Sequence, residues 1–138
     1  MATPPPTRYI LSAGFGRYAT HDPNALARFG PDAGHKVKEL LARSISQARA
    51  AGFEVLPTDI NPEDPADSLK RFVEALQSRE WSGVNVGFGV RGHKENTVLF
   101  ERMLGEVRRL APGARVVFSN GPDELFEAIR RNFLDGGE

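Results

Sequence analysis

Residues 82–92 read Ser82-Gly83-Val84-Asn85-Val86-Gly87-Phe88-Gly89-Val90-Arg91-Gly92, and the fold turns on them. Val84, Val86, Phe88 and Val90 recur at every second position, the period of a strand with an apolar face. The run then fills with glycine and ends in an arginine. We read it as a buried central strand whose carboxyl end is stripped of side chains. A loop carrying Arg91, His93 and Lys94 follows.

On either side the period changes. Leu69, Phe72, Val73 and Leu76 precede the strand at helical spacing, closing at Trp81, while Leu99, Phe100, Met103, Leu104, Val107 and Leu110 follow it. Pro112-Gly113 stops that second helix. Arg115–Ser119 is a further strand, and Asn120-Gly121-Pro122-Asp123-Glu124 leads into a last helix through Leu125, Phe126, Ile129 and Phe133.

Towards the amino end, Phe53–Ile60 is a strand reaching Asp59. It is preceded by a helix with Val37, Leu40, Leu41, Ile45 and Ala48 on one face, Asp32 as its cap and Gly52 as its stop. The first strand is Arg8–Ala13, ending in Gly14-Phe15-Gly16. Arg17–Pro31 has no clean period. It is read either as a lid or as a solvated insertion with one helical turn around Asn24–Arg28.

This order, βαβαβαβα, calls for a parallel sheet, because each strand is followed by a crossover helix. The expected fold class is α/β: a three-layer αβα domain with a four-stranded parallel sheet in the order 2-1-3-4. It would span residues 8–134, with a disordered proline-rich leader over 1–7 and a flexible tail over 135–138.

Composition narrows the function. The chain has 138 residues, 18 basic against 18 acidic, and no cysteine. No net field favours nucleic acid or an anionic membrane, and thiolate chemistry and cysteine-held metals are excluded. No apolar run approaches a membrane span. A cytoplasmic protein with neither a nucleic-acid nor a membrane partner is expected. His21, His35 and His93 lack metal-type spacing, so no metal is expected, and the composition names no other cofactor.

In a sheet of this order, ligands bind beyond the carboxyl ends of the strands where the winding reverses, here between strands one and three. That places Gly14, Gly16, Gly87 and Gly89 at the floor of a site, their backbones open to close approach. Arg91 is the candidate anchor for a phosphate or carboxylate, and His93 the candidate for metal-independent proton transfer. Asp59 and Asn120, each at a strand end, are further ligand contacts. The other reading of Asn120 is a cap on the last helix. The same glycines could serve only to relieve crowding, with Arg91 and Lys94 as solvated charges. Gly14-Phe15-Gly16-Arg17-Tyr18-Ala19 also fits GxGxxA, which keeps dinucleotide binding as an alternative. A further alternative is a non-catalytic domain that forms a homodimer through strand four or through the adjacent apolar helix.

Val86-Gly87-Phe88-Gly89-Val90-Arg91, Leu99-Phe100-Glu101 and Ala111-Pro112-Gly113-Ala114-Arg115-Val116-Val117-Phe118-Ser119 form a pattern over the carboxyl-terminal half. It resembles a group of small, largely uncharacterised α/β proteins of flavodoxin-like or Rossmann-like layout. The resemblance implies the fold and no particular reaction. Ser119-Asn120 stands where that group has Asn-Thr. Together these readings lead us to expect binding of a small polar or anionic molecule at the carboxyl ends of strands one and three.

Overall fold

The computed structural model describes residues 6–134. The expected tail and most of the expected leader lie outside the described residues. Four strands, β1 (Arg8–Gly14), β2 (Phe53–Asp59), β3 (Gly83–Gly87) and β4 (Arg115–Ser119), form one all-parallel sheet in the order β2-β1-β3-β4. Helices cover both faces, as the crossover argument requires. No helix among the described residues is long and apolar enough to cross a membrane.

Register decides what each face carries. Ser12 lies beside Asn85 and Pro57, while Leu11 lies beside Val84 and Leu56. Strand alternation therefore sends Ile10, Ser12, Asn85 and Val55 to one face and Leu11, Ala13, Val84 and Val86 to the other. On the first face, α2 (Ala33–Ala50) and α6 (Leu125–Phe133) close over Ile10, Phe53 and Val55 with Ala48, Leu125 and Ile129. On the second, α3 (Pro65–Gln77) and α5 (Thr97–Leu110) bring Phe72, Leu76, Leu99, Met103 and Val107. Phe72 and Met103 are wholly buried, and each such side chain contributes about 1.5–3 kcal/mol.

Helix starts follow local chemistry. Asp64 accepts a hydrogen bond from the Asp67 N–H, and Pro65 occupies the first turn of α3, where a missing N–H costs nothing. Asn61 caps only a turn, accepting from Glu63 N. Asp32 sits at the start of α2 but makes no side-chain cap bond. Trp81 closes the core at the amino ends of the strands, its indole N–H donating to the carbonyls of Ala75 and Leu76. At the surface, the Arg49 guanidinium holds the Glu54 carboxyl below its usual range, chiefly through hydrogen bonds of 3.0 and 2.8 Å.

The alternation of Val84, Val86, Phe88 and Val90 reads as one strand, but β3 stops at Gly87. Phe88–Arg91 is a single helical turn, α4. The reason is pairing. β1 meets β3 only as far as Val86 and β4 only as far as Gly87. Beyond that point the backbone has no neighbour and must satisfy itself. The turn buries Val90 and leaves Phe88 43% exposed.

Candidate functional site

Between β1 and β3 the winding of the sheet reverses, and a cleft of about 160 Å³ opens there, at the carboxyl ends of the strands. Its floor comes from strand ends, its walls from α2 and from the connection between β1 and α2. That connection, Arg17–Pro31, carries a helix over the expected Asn24–Arg28 turn, and several of its side chains face the cleft. It forms a 3-10 turn (Gly16–His21) and then α1 (Pro23–Phe29), which starts because Asp22 accepts from Asn24 N and Pro23 follows. Ala19, Asp22, Asn24, Ala25, Arg28 and Phe29 all face the cleft.

Besides the contacts of His21 with Glu63 at 3.5 Å and of Asn24 with His93 at 3.4 Å, three polar ties hold this connection to the loops and ends of the other strands. Arg17 Nε lies 3.6 Å from Asp59 Oδ2 at the end of β2. Asp22 Oδ1 lies 2.8 Å from His93 Nε2 beyond β3. Arg28 Nη2 lies 3.1 Å from Asp123 Oδ2 beyond β4. Each is modest alone, and the exposed pairs contribute roughly 0–1 kcal/mol. Asp22 is different: it is buried, and its Oδ1 takes bonds from both His93 and Asn24 N.

The four glycines divide by purpose. Gly14 and Gly87 are neighbours, and they make room: a Cβ on Gly14 would meet nothing within 4 Å, and one on Gly87 only ordinary contacts from 3.5 Å. Gly16 and Gly89 yield to packing instead. A Cβ on Gly16 would fall 2.1 Å from Asp59 Oδ1, and one on Gly89 2.9 Å from the Phe15 ring. Crowding therefore explains one pair and the cleft explains the other.

Of the residues singled out in the sequence, Gly14, Gly16, Asp59, Gly87, Gly89 and Asn120 line the cleft, whereas Arg91 and His93 do not. Arg91 lies between the rings of Phe88 and Phe118, each centroid 5.2 Å away, and donates to Ser119 O and to Asn120 Oδ1 at 2.9 Å. Its guanidinium therefore clamps the end of β4. Asn120 accepts that bond and does not cap α6, which begins at Leu125 behind a 3-10 turn at Pro122–Glu124. His93 sits behind Asp22, over the Phe15 ring. Among the described residues no group of three or more His, Asp or Glu could hold a metal ion.

Sequence reasoning missed the polar floor. Ser12, Asn85 and Ser119 are 6%, 2% and 4% exposed. Asn85 Nδ2 donates to both serine hydroxyls at 3.1 Å, and Asn85 Oδ1 accepts from Ser119 N at 2.9 Å. The available signal was an asparagine at the centre of an apolar run, since buried polar groups inside strands are uncommon and must be paired. Asp22 was missed because nothing in its spacing marks it.

Neither a family model nor a curated protein matches this chain. The chemistry must therefore be read from the cleft itself. Its walls are largely apolar (Phe15, Phe29, Val37, Leu41, Pro57), its floor is polar, and its charged residues are Asp22, Asp59 and Arg28. Apolar walls around a few fixed polar groups are the usual make-up of a small-molecule site.

Proposed function

We propose that this protein binds a small polar molecule in the cleft at the carboxyl ends of β1 and β3, beneath the connection that carries α1. The observation that carries the reading is the position of the buried Ser12–Asn85–Ser119 row. Polar groups are costly to bury, and here they lie at the base of an apolar-walled opening that Gly14 and Gly87 keep clear. The volume, about 160 Å³, lies below the roughly 300–1,000 Å³ of sites for drug-sized ligands. It suits a compact molecule.

Within the expectation of a polar or anionic ligand, the polar branch has the better support. Asp22 and Asp59 put two carboxylates on the lining, and Arg91, the expected anion anchor, is engaged with β4. Proton transfer by His93 would act through Asp22, the member of the pair that faces the cleft. The dinucleotide alternative needs an α-helix starting within the glycine motif, where this chain forms a 3-10 turn. Dimerisation through β4 has little to recruit, because Val117 is buried and the Phe118 carbonyl already accepts from Arg131 Nη2 at 2.9 Å.

The test is a thermal-shift screen with sugars, nucleosides, amides, amino acids and simple carboxylates, run on the native chain and on Gly14→Val. A compound at 100 times its dissociation constant adds about 2.7 kcal/mol, a rise of several degrees. The expected result is a hit that Gly14→Val abolishes while remaining folded. A folded protein that responds to nothing, or a hit indifferent to Gly14→Val, removes the site.

A further inference from the structure

The direction of each hydrogen bond in the floor says what a ligand must offer. Asn85 Oδ1 accepts from the Ser119 backbone N–H, a donor that cannot be reversed, so the amide orientation is fixed. Its Nδ2 therefore faces the serines and spends one hydrogen on Ser12 Oγ and the other on Ser119 Oγ. Each serine oxygen is an acceptor in this row, which leaves each hydroxyl with its own proton to give. Neither proton finds an acceptor among the described residues, and both side chains are more than nine-tenths buried on the cleft lining. An unspent buried donor is unfavourable until something accepts from it.

The group that seats there must accept hydrogen bonds from hydroxyls on either side of Asn85 Nδ2. Directly above, Gly14 and Gly87 present no side chain, so the approach is open. Charge then narrows the choice. Among the described residues Arg28 is the only cation on the lining, and it is committed to Asp123 at 3.1 Å, whereas Asp22 and Asp59 are both carboxylates. A carboxylate or phosphate would meet two like charges, while the nearby guanidinium groups of Arg28 and Arg17 already face Asp123 and Asp59. A carbonyl oxygen meets no such penalty. Asp22 adds a complementary demand: Oδ1 takes both of its bonds, and Oδ2 accepts none among the described residues, so an N–H on the ligand has an acceptor on the wall.

We infer that the cleft recognises a small neutral amide or lactam, its carbonyl oxygen held by the hydroxyls of Ser12 and Ser119. The inference rests on the cleft being the binding site, and it fixes the ligand class. Asn85 acts as a positioning residue, turning both serines from acceptors of ligand protons into donors. Apolar walls at Phe15, Phe29 and Leu41 would enclose the carbon part of the ring or chain.

The experiment is an NMR titration of the ¹⁵N-labelled chain with δ-valerolactam, and with cyclopentanecarboxylate and pyrrolidine as anionic and cationic controls of similar size. Saturable shifts in the millimolar range are expected at the Ser12, Gly87 and Ser119 amides and at the Asn85 side-chain NH₂, with the controls at least tenfold weaker, about 1.4 kcal/mol. Ser119→Ala should weaken the lactam about tenfold, again about 1.4 kcal/mol. Should that variant fail to fold, Gly14→Val, which leaves the serine row intact, must abolish the shifts. Equal binding of lactam and carboxylate overturns the inference. So does a cleft that binds another compound of the screen and ignores the lactam, although the proposed site then stands. If no compound shifts any floor residue, both fall.

Discussion

Asp22 and His93 meet at 2.8 Å although 71 positions of chain separate them, joining the β1–α2 connection to the loop beyond β3. The pair is asymmetric. Asp22 is buried and also caps α1, whereas His93 is partly exposed and, besides Asp22, has only the longer contact of 3.4 Å with Asn24 Nδ2 among the hydrogen bonds of the described residues. Removing the two partners should therefore have unequal effects.

His93→Ala takes one bond from an oxygen that retains another, at a cost of about 1 kcal/mol. Asp22→Ala removes that bond and the helix cap together, and the cap alone is worth about 1 kcal/mol. We predict a loss of about 2–3 kcal/mol for Asp22→Ala and clearly less for His93→Ala, measured by urea unfolding. Hydrogen exchange should quicken in residues 16–29 of His93→Ala while β1 and β3 keep their protection. Equal losses in the two variants, or exchange that rises uniformly across the sheet, would mean that the pair does not hold the connection.

Arg91 was expected to anchor an anion, so that Arg91→Ala would weaken binding and spare the fold. In the structure the side chain has protein partners of its own. Its guanidinium is packed between Phe88 and Phe118 and hydrogen-bonded to the end of β4, with Nε buried and unpaired. Losing the stacking and the polar clamp should cost about 1–3 kcal/mol, with the affinity of the cleft nearly unchanged. Arg91→Lys should recover only part of the loss, because an ammonium can neither stack flat nor bond through a planar fork. A stable Arg91→Ala variant with weakened ligand binding would restore the anchor role.

These two cases show what the chain made legible. Strand order came from crossovers and periodicity, since four apolar runs separated by helical stripes leave few ways to wind a parallel sheet. The location of the cleft followed from the order. Side-chain direction did not, because Arg91 is carried away from the cleft by a helical turn that apolar alternation disguises as strand. Ser12, Asn85 and Ser119 were hidden for a related reason. Each stands alone in its own apolar run, and only the register of three strands, with Ser12 beside Asn85 and Ser119 two residues further along beside Gly87, brings them together. Asp22 depends on the path of a connection with no period to reveal it.

Gly16 offers the sharpest test of the cleft rim, because two separate demands fall on one residue. Its φ of 52° lies in the left-handed region, which costs a residue with a Cβ roughly 1–2 kcal/mol. A Cβ there would also lie 2.1 Å from Asp59 Oδ1, far inside any tolerable contact. Gly16→Ala must either bear the clash or turn the Asp59 carboxylate away, breaking its approach to Arg17. We predict a destabilisation above 2 kcal/mol, more than the backbone conformation alone accounts for. Adding Asp59→Ala removes the clash and leaves the backbone cost, so the double variant should recover to a deficit of about 1–2 kcal/mol. The coupling between the two sites would then be strongly non-additive. Denaturant unfolding of the four proteins in the cycle measures it directly. Additive effects would show that Asp59 is free to leave Gly16, and that the rim of the cleft is not fixed by their contact.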